Sequence, residues 1–577
     1  MSKSLYIAEK PSVAQQFADA LKIRGRRGDG YIESEDAIVT WCVGHLVTMS
    51  YPDAYDMKFK RWSLQTLPFL PKEFKYEIIP GVARQFAVVK GLLNRPDVDT
   101  IYVCTDSGRE GEYIYRLVAQ MAGVKDKRQK RVWIDSQTEE EILRGIREAK
   151  DESEYDNLSA SAYLRAKEDY LMGINFSRVL TLRYGPAMSN YLGTKFTVLS
   201  VGRVMTCVLG MVVRREREIR SFVKTPFYRV IGTFDAVAKD GRALPLEAEW
   251  KAVEGSRYFG TPCLYKDNGF KVEERARELI AYLKEGEPLT AAVVSKEKKK
   301  ETKNPPLLYN LAELQNDCSK MFKISPDEAL KVVQELYEKK LVTYPRTDAR
   351  VLSSAVAKEI HKNIGGLRNF APLADLASEA LELGSFKTIG NTRYVNDKQI
   401  TDHYAIIPTG QGFGALRTLG SLQLKVYEVI SRRFLSIFYP PAVYQKFSLD
   451  LEKQGEHFFA NYRVLAEEGY LKAAYVPKKM AEKKTGDQET ESGEEKKQAG
   501  KGNETEIELD GGEKARALLA MLSGLKKGQR LSLTGLEIKE GETSPPRRYT
   551  SGSMILAMEN AGQLIEDEEL RSQIKGS

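Results

Sequence analysis

Cysteine is scarce: 577 residues carry five, Cys42, Cys104, Cys207, Cys263 and Cys318, and no two form a CxxC pair. That argues against a disulfide framework or a zinc ribbon and fits a reducing cytoplasm. Long apolar runs are missing too. The longest lies near residues 204–213, well short of the ~20 residues needed to span a bilayer. The N-terminal MSKSLYIAEKPS has no signal-peptide core. No GxxxxGK[ST] run occurs, so the common nucleotide-phosphate loop is absent. Excess charge is small as well: 88 basic against 80 acidic residues leave +8. That balance permits nucleic-acid binding without demonstrating it.

What is present is a chain too long for a single core, with 42% hydrophobic and 29% charged residues, so several domains are expected. The first ~150 residues alternate apolar strands with helical patterns, the signature of an α/β unit with parallel strands. SLYIAEK, AIVTWCVGHLV, TIYVCTD and KRVWID read as its strands. PSVAQQFADAL, REGEYIYRLVAQMAG and the capped TEEEILRGIREA read as its helices. From 155 to 220 the pattern is helical and arginine-rich, and from 225 to 295 it is strand-like. SKEKKKETKNPP (295–306) reads as a charged hinge leading to a second helical region, with more strands after about 440. Between Lys478 and Glu506 the only apolar side chains are Met480, Ala481 and Ala499, so this segment reads as a disordered insertion.

Four constellations bear on chemistry. Glu9 and Lys10 end the first strand and Asp106 ends a later one, where open α/β sheets place ligands; Glu110 follows one turn into a helix. Such carboxylates suit Mg²⁺, though on these residues alone the acidic first turn of a helix is the commoner pattern. In KKLVTYPRTDARV, Tyr344 precedes Pro345, and Arg346 follows. A tyrosine with a neighbouring guanidinium can attack phosphorus, while a lone tyrosine is also a common buried aromatic. His403 in DKQITDHYAIIPTG can bind phosphate or move a proton, or cap a strand end. LSVGRVMT opens a helix with Gly202 and Arg203, suited to phosphate contact or plain packing.

Taken together, YIAEKPSVA, WCVGHLV, RWSLQTLPFLP, TDSGREGE, YLMGINFSR, LSVGRVMT, LVTYPRTD, DHYAIIPT and SPPRRYTSGSMILAMENAG follow one order. In that order the chain resembles the type IA DNA topoisomerases, most closely the bacterial topoisomerase III group. The resemblance runs from residue 6 to the tail. It implies a multidomain fold of α/β, α and β parts, in which a TOPRIM domain precedes a toroidal core of helical and β-arch domains. The implied order is TOPRIM 1–154, helical groove domain 155–222, arch 223–300, nucleophile domain 301–412, arch 413–477, insertion 478–506, end of arch 507–545, and helical domain 546–577.

The implied activity is ATP-independent breakage, passage and rejoining of single-stranded DNA, relaxing negative supercoils or decatenating. Tyr344 matches the nucleophile that links to the 5′ phosphate, Arg346 the arginine on the scissile phosphate, and Lys10 the lysine assisting the 3′ oxygen. His403 matches a histidine that handles phosphate. Glu9 and Asp106 match the Mg²⁺ ligands, Glu9 also counting as catalytic, with Glu110 a near neighbour of the ion. Trp62, Arg165, Tyr170, Arg178 and the Ser200, Val201, Gly202, Arg203, Val204, Met205 segment fall where the family touches single-stranded DNA. The implied partners are DNA and a helicase or single-strand binding protein, with no membrane and no nucleotide cofactor, and the implied location is the cytoplasmic nucleoid or a plasmid.

Two departures stand out. The family's DxDxE signature reads Asp106-Ser107-Gly108-Arg109-Glu110 here, so one ligand is missing and weaker Mg²⁺ affinity is expected. The chain also stops after EELRSQIKGS, where the family continues its helical domain. That leaves a truncated, catalytically impaired single-strand DNA-binding relative as the alternative.

Overall fold

The computed structural model describes residues 2–237, 243–285, 287–475, 506–509 and 512–564. It comprises two compact units, one of Met1–Val213, Leu307–Phe434 and Tyr549–Ser577, the other of Arg214–Pro306 and Leu435–Arg548.

The first unit begins with β1 (Lys3–Ala8), α1 (Pro11–Ala20), β2 (Arg26–Gly28), β3 (Tyr31–Glu33), β4 (Ala37–Trp41), β5 (Val47–Met49) and β6 (Tyr76–Ile78). It continues with α2 (Ala83–Leu93), β7 (Val98–Cys104), α3 (Arg109–Ala122), β8 (Arg128–Arg131), α4 (Glu139–Arg147) and β9 (Lys150–Asp151). Seven strands form one sheet in the order β2-β3-β4-β1-β7-β8-β9. β1 lies parallel to both β4 and β7, with Ala8 opposite Cys104. Alternation along β1 sends Leu5 and Ile7 into a core with α2 and α3, and Tyr6 and Ala8 into a core with α1 and α4. A sheet buried on both faces in this way is what parallel α/β topology requires.

Two strand expectations are corrected. AIVTWCVGHLV does not run as one strand: β4 stops at Trp41, and Gly44, at φ +83°, turns the chain before β5. KRVWID also leaves the sheet after Arg131: the Val132 N–H still donates to the Val103 carbonyl of β7 at 3.0 Å, but residues 133–135 are bonded elsewhere, as described below.

Two long helices follow, α5 (Asp156–Leu192) and α6 (Arg203–Ser221). Next come β10 (Pro226–Val237), β11 (Ala243–Lys251), α7 (Glu273–Glu285) and β12 (Thr290–Lys303). Residues 295–303 are therefore strand and not a hinge. Lys296 through Lys303 pair residue by residue with Leu449 to Ala442, and the charged side chains stay solvated on this ribbon.

The first unit resumes with α8 (Leu311–Phe322), α9 (Pro326–Glu338), α10 (Ser354–Gly366), α11 (Ala374–Leu383) and α12 (Ser421–Ser436). α9 starts where its sequence says it should: the Ser325 hydroxyl accepts from the Glu328 N–H, and Pro326 occupies the first turn. After α12 come β13 (Ala442–Lys453), β14 (Glu456–Glu467), β15 (Glu506–Leu509), α13 (Gly512–Gly524), β16 (Arg530–Glu542) and α14 (Ser551–Glu559). The second unit's sheet has the order β11-β10-β16-β12-β13-β14-β15, and β11 also pairs with β14, so it closes on itself around Trp250, Phe270, Phe447 and Phe458. Most of the expected 478–506 insertion lies outside the described residues.

Candidate active site

Because β1 and β7 are adjacent and in register, their carboxyl ends bring Glu9 and Asp106 together. The Asp106 N–H donates to Glu9 Oε2 at 3.4 Å, and both residues are buried. Burial, and then the charge of Asp106, push the Glu9 carboxyl up to about 7. Burial raises Asp106 as well, against the pull of Lys10, Arg346 and Arg131. Two buried carboxylates in this state form an all-oxygen donor pair that a hard divalent cation would relieve, so these residues fit such an ion. Glu110 points elsewhere. It is 70% exposed and pairs with His45 Nε2 at 2.5 Å, a hydrogen bond that holds its carboxyl below the usual range. Among the described residues no three Asp, Glu, His or Cys side chains close into a metal cluster.

Tyr344 lies in an irregular segment between α9 and α10. That segment is laced to residues 403–409: the Thr343 N–H donates to the Ile407 carbonyl at 3.0 Å, the Thr343 hydroxyl to the Ala405 carbonyl at 3.0 Å, and the Thr347 hydroxyl to the His403 carbonyl at 2.8 Å. The lacing sets the His403 ring beside Tyr344, with centroids 4.4 Å apart. Tyr344 is only 6% exposed. Burial and then the Asp106 charge raise its phenol, while Arg346 lowers it through its charge and a hydrogen bond. The candidate nucleophile therefore sits within electrostatic range of the carboxylate pair. Lys10 Nζ reaches Glu338 Oε1 of α9 at 2.9 Å.

The expected DNA-contacting residues fall into two groups, one around Trp62, Tyr170 and Arg178 and one around Arg165, Arg203 and Val204. The Arg178 guanidinium is buried over the Trp62 ring at 5.2 Å and donates to the Phe59 carbonyl at 3.0 Å. The Tyr170 hydroxyl donates to the Ser50 carbonyl at 2.6 Å, and its ring meets Phe69 and Phe74 edge-on. Arg165 and Arg203, with Arg109, Glu168, Val204 and Met558, line an open cleft of about 500 Å³. Arg203 is held by Asp169 at 2.6 Å and Glu168 at 2.7 Å. Ser200 and Met205 are exposed, Gly202 is half-buried, and the Val201 N–H is bound by the Ser177 hydroxyl at 2.8 Å.

Residues 153–563 match the family model for DNA topoisomerase, and residues 4–136 match that for the Toprim domain. The chain belongs to the type IA DNA topoisomerases. It is 35% identical over 571 residues to DNA topoisomerase 3 of Bacillus subtilis, covering 99% of this chain and 69% of that one. It is 33% identical over 577 residues to DNA topoisomerase 3 of Shouchella clausii, covering 100% of this chain and 69% of that one. Its fold also matches full-length topoisomerase I of Thermotoga maritima at TM-score 0.63 and 20% identity, over 99% of this chain and 77% of that one. The chain is thus a topoisomerase III-like enzyme with an N-terminal Toprim domain, a metal-binding module.

Several residues of this topoisomerase's site carry no motif of their own. Arg131, wholly buried, donates to the carbonyls of Val103, Thr105 and Asp106 at 3.0, 2.8 and 2.6 Å and pairs with Glu112 at 3.1 Å. Trp133, Asp135 and Glu338 likewise read as ordinary strand and helix positions. The one available signal was the basic residue at the end of a strand that should be apolar.

Proposed function

We propose that Tyr344 is the nucleophile, cleaving one DNA strand to give a 5′-phosphotyrosine and a free 3′ hydroxyl. The observation that carries this reading is the convergence of a buried tyrosine, Arg346 and the Glu9–Asp106 pair. Arg346 supplies a fork of donors for the phosphate oxygens and lowers the Tyr344 phenol. Lys10, on the first turn after β1, is placed to protonate the departing 3′ oxygen and release its Glu338 partner. Glu9 and Asp106 would hold Mg²⁺, which supplies electrostatic stabilisation of phosphate charge. His403 braces the Tyr344 ring, its two nitrogens engaged by Asp135 and the Ser107 carbonyl. The phosphotyrosine keeps the energy of the phosphodiester, so resealing needs no ATP.

A buried tyrosine of this kind takes a single strand, which negatively supercoiled or catenated DNA supplies. A helicase or single-strand binding protein that exposes such strands fits as a partner, and the nucleoid or a plasmid fits as the place of action. Arg165, Arg203 and the exposed residues from 200 to 205 line the path for the strand, with Trp62, Tyr170 and Arg178 shaping its far side.

The test is incubation with Mg²⁺ and end-labelled single-stranded DNA, followed by denaturation. An adduct on the 5′ side of the break, absent in Tyr344→Phe, is expected. DNA binding without an adduct, or hydrolysed ends without one, would overturn the reading.

A further inference from the structure

We propose that Asp135 is a positioning residue for strand cleavage, holding the His403 imidazole against Tyr344; this rests on Tyr344 being the nucleophile. Beyond Arg131 the chain leaves the sheet, and residues 134 and 135 are anchored by their backbone. The Ile134 N–H donates to the Ser107 hydroxyl at 2.9 Å and the Asp135 N–H to Glu141 Oε1 at 3.0 Å. Thus fixed, Asp135 makes two contacts with the nucleophile-bearing segment. Its carbonyl accepts the Tyr344 N–H at 2.9 Å, and its Oδ1 lies 2.6 Å from His403 Nδ1.

The other ring nitrogen of His403 faces the carbonyl of Ser107, next to Asp106. Both nitrogens therefore meet oxygen acceptors, and the ring serves as donor at each. Two aromatic rings also pack against it. Trp133 stacks on one side at 5.9 Å and 13°, and Tyr344 lies 4.4 Å away at 39°. Trp133 is itself held by Tyr155 at 5.4 Å and by a hydrogen bond from Nε1 to the Asp402 carbonyl at 3.2 Å. Among the described residues, the Asp135 carboxylate is the side-chain acceptor that bonds the ring and fixes its rotation. Without it, a buried N–H loses its charge-assisted partner and the ring beside Tyr344 loses its orientation.

The experiment measures single-turnover adduct formation on saturating single-stranded DNA with Mg²⁺, alongside the DNA Kd. Asp135→Ala should slow adduct formation roughly 10- to 100-fold with Kd unchanged. Asp135→Asn, which keeps an acceptor at Oδ1, should recover most of the rate. In a His403→Ala background the Asp135→Ala change should cost nothing further. If Asp135→Ala fails to fold, Asp135→Ser, too short to reach Nδ1, takes its place in the cycle. An undiminished rate, a loss confined to Kd, or an equal loss in the His403→Ala background would overturn the proposal. Adduct formation persisting in Tyr344→Phe would instead overturn the nucleophile assignment, so the two failures are distinguishable.

Discussion

Gly111 faces the backbone of Asp106 so closely that a Cβ on it would lie 2.1 Å from the Asp106 carbonyl oxygen and 2.8 Å from its nitrogen. The first turn of α3 thus rests directly on the loop that presents the candidate ligand. No side-chain rotation relieves a clash with backbone, so Gly111→Ala must shift the helix or the loop. Adduct formation should fall about 100-fold, the usual cost of an ångström-scale misplacement, while circular dichroism is retained. Gly108→Ala is the control, since a Cβ there meets nothing within 4 Å, and it should stay within a few-fold of the parent. Full activity in Gly111→Ala would show that the close contact is dispensable.

Gly108 occupies the position that the family resemblance assigns to a second aspartate. Its backbone is extended, at φ 177° and ψ 177°, and open space surrounds it, so any residue is accommodated. Gly108→Asp should add a carboxylate beside Asp106 and lower the Mg²⁺ concentration for half-maximal plasmid relaxation several-fold. An aspartate at the N-cap of α3 should leave stability within a few tenths of a kcal/mol of the parent. An unchanged or raised Mg²⁺ midpoint would contradict this. Half-maximal relaxation by the parent at ordinary micromolar Mg²⁺ would likewise remove the case for a weakened site.

Arg131 and Glu112 are wholly buried partners. Removing Arg131 leaves Glu112 with the part-buried Arg116 at 2.7 Å as its remaining cation, so the cost falls at or below the low end of the about 3–5 kcal/mol for breaking a buried pair. Arg131→Met should therefore lower the urea midpoint of the Toprim transition strongly, and the Arg131→Met/Glu112→Met double substitution should restore part of it. Additive losses in the double variant would show that the pair is not coupled.

Glu152 supplies a pH dependence away from the catalytic residues. Burial, followed by the charge of Glu112, raises its carboxyl to about 8, and Arg116 Nε at 3.2 Å makes an ion pair without an aligned hydrogen bond. A carboxyl raised on folding binds its proton more tightly in the native state. Its effect on stability is therefore unfavourable as pH climbs from about 4.5, the unfolded value, to about 8, with a slope of at most about 1.4 kcal/mol per pH unit. Calorimetry across that window should show the melting temperature of Glu152→Gln falling less steeply than the parent's. Parallel profiles would refute the assignment.

Much of the α/β unit was legible because its signals are local. The apolar run in SLYIA predicts a strand and the Thr138 cap a helix, and each depends on only a few neighbouring residues. Tyr344, His403, Glu9 and Asp106 were legible as a set through the order of their motifs. Where reading failed, tertiary context had overridden local pattern. VWID looks like strand, but past Val132 it is drawn off the sheet by the bonds of Ile134 and Asp135 to Ser107, Glu141 and Tyr344. SKEKKKETK looks like a solvated hinge but is strand because β13 supplies a partner for its whole length.

The sequence by itself determined most of the α/β unit's helices and strands, which family the motifs spell, and which side chains are candidates for the chemistry. Only the tertiary structure decided that Asp135 meets His403 across 268 residues, that Arg131 clamps the carbonyls around Asp106, and that Gly111 leaves no room there. Periodicity and capping are encoded within one or two turns of chain. Which oxygen faces which nitrogen is settled only when distant segments close around the same buried volume and every polar group within it must find a partner.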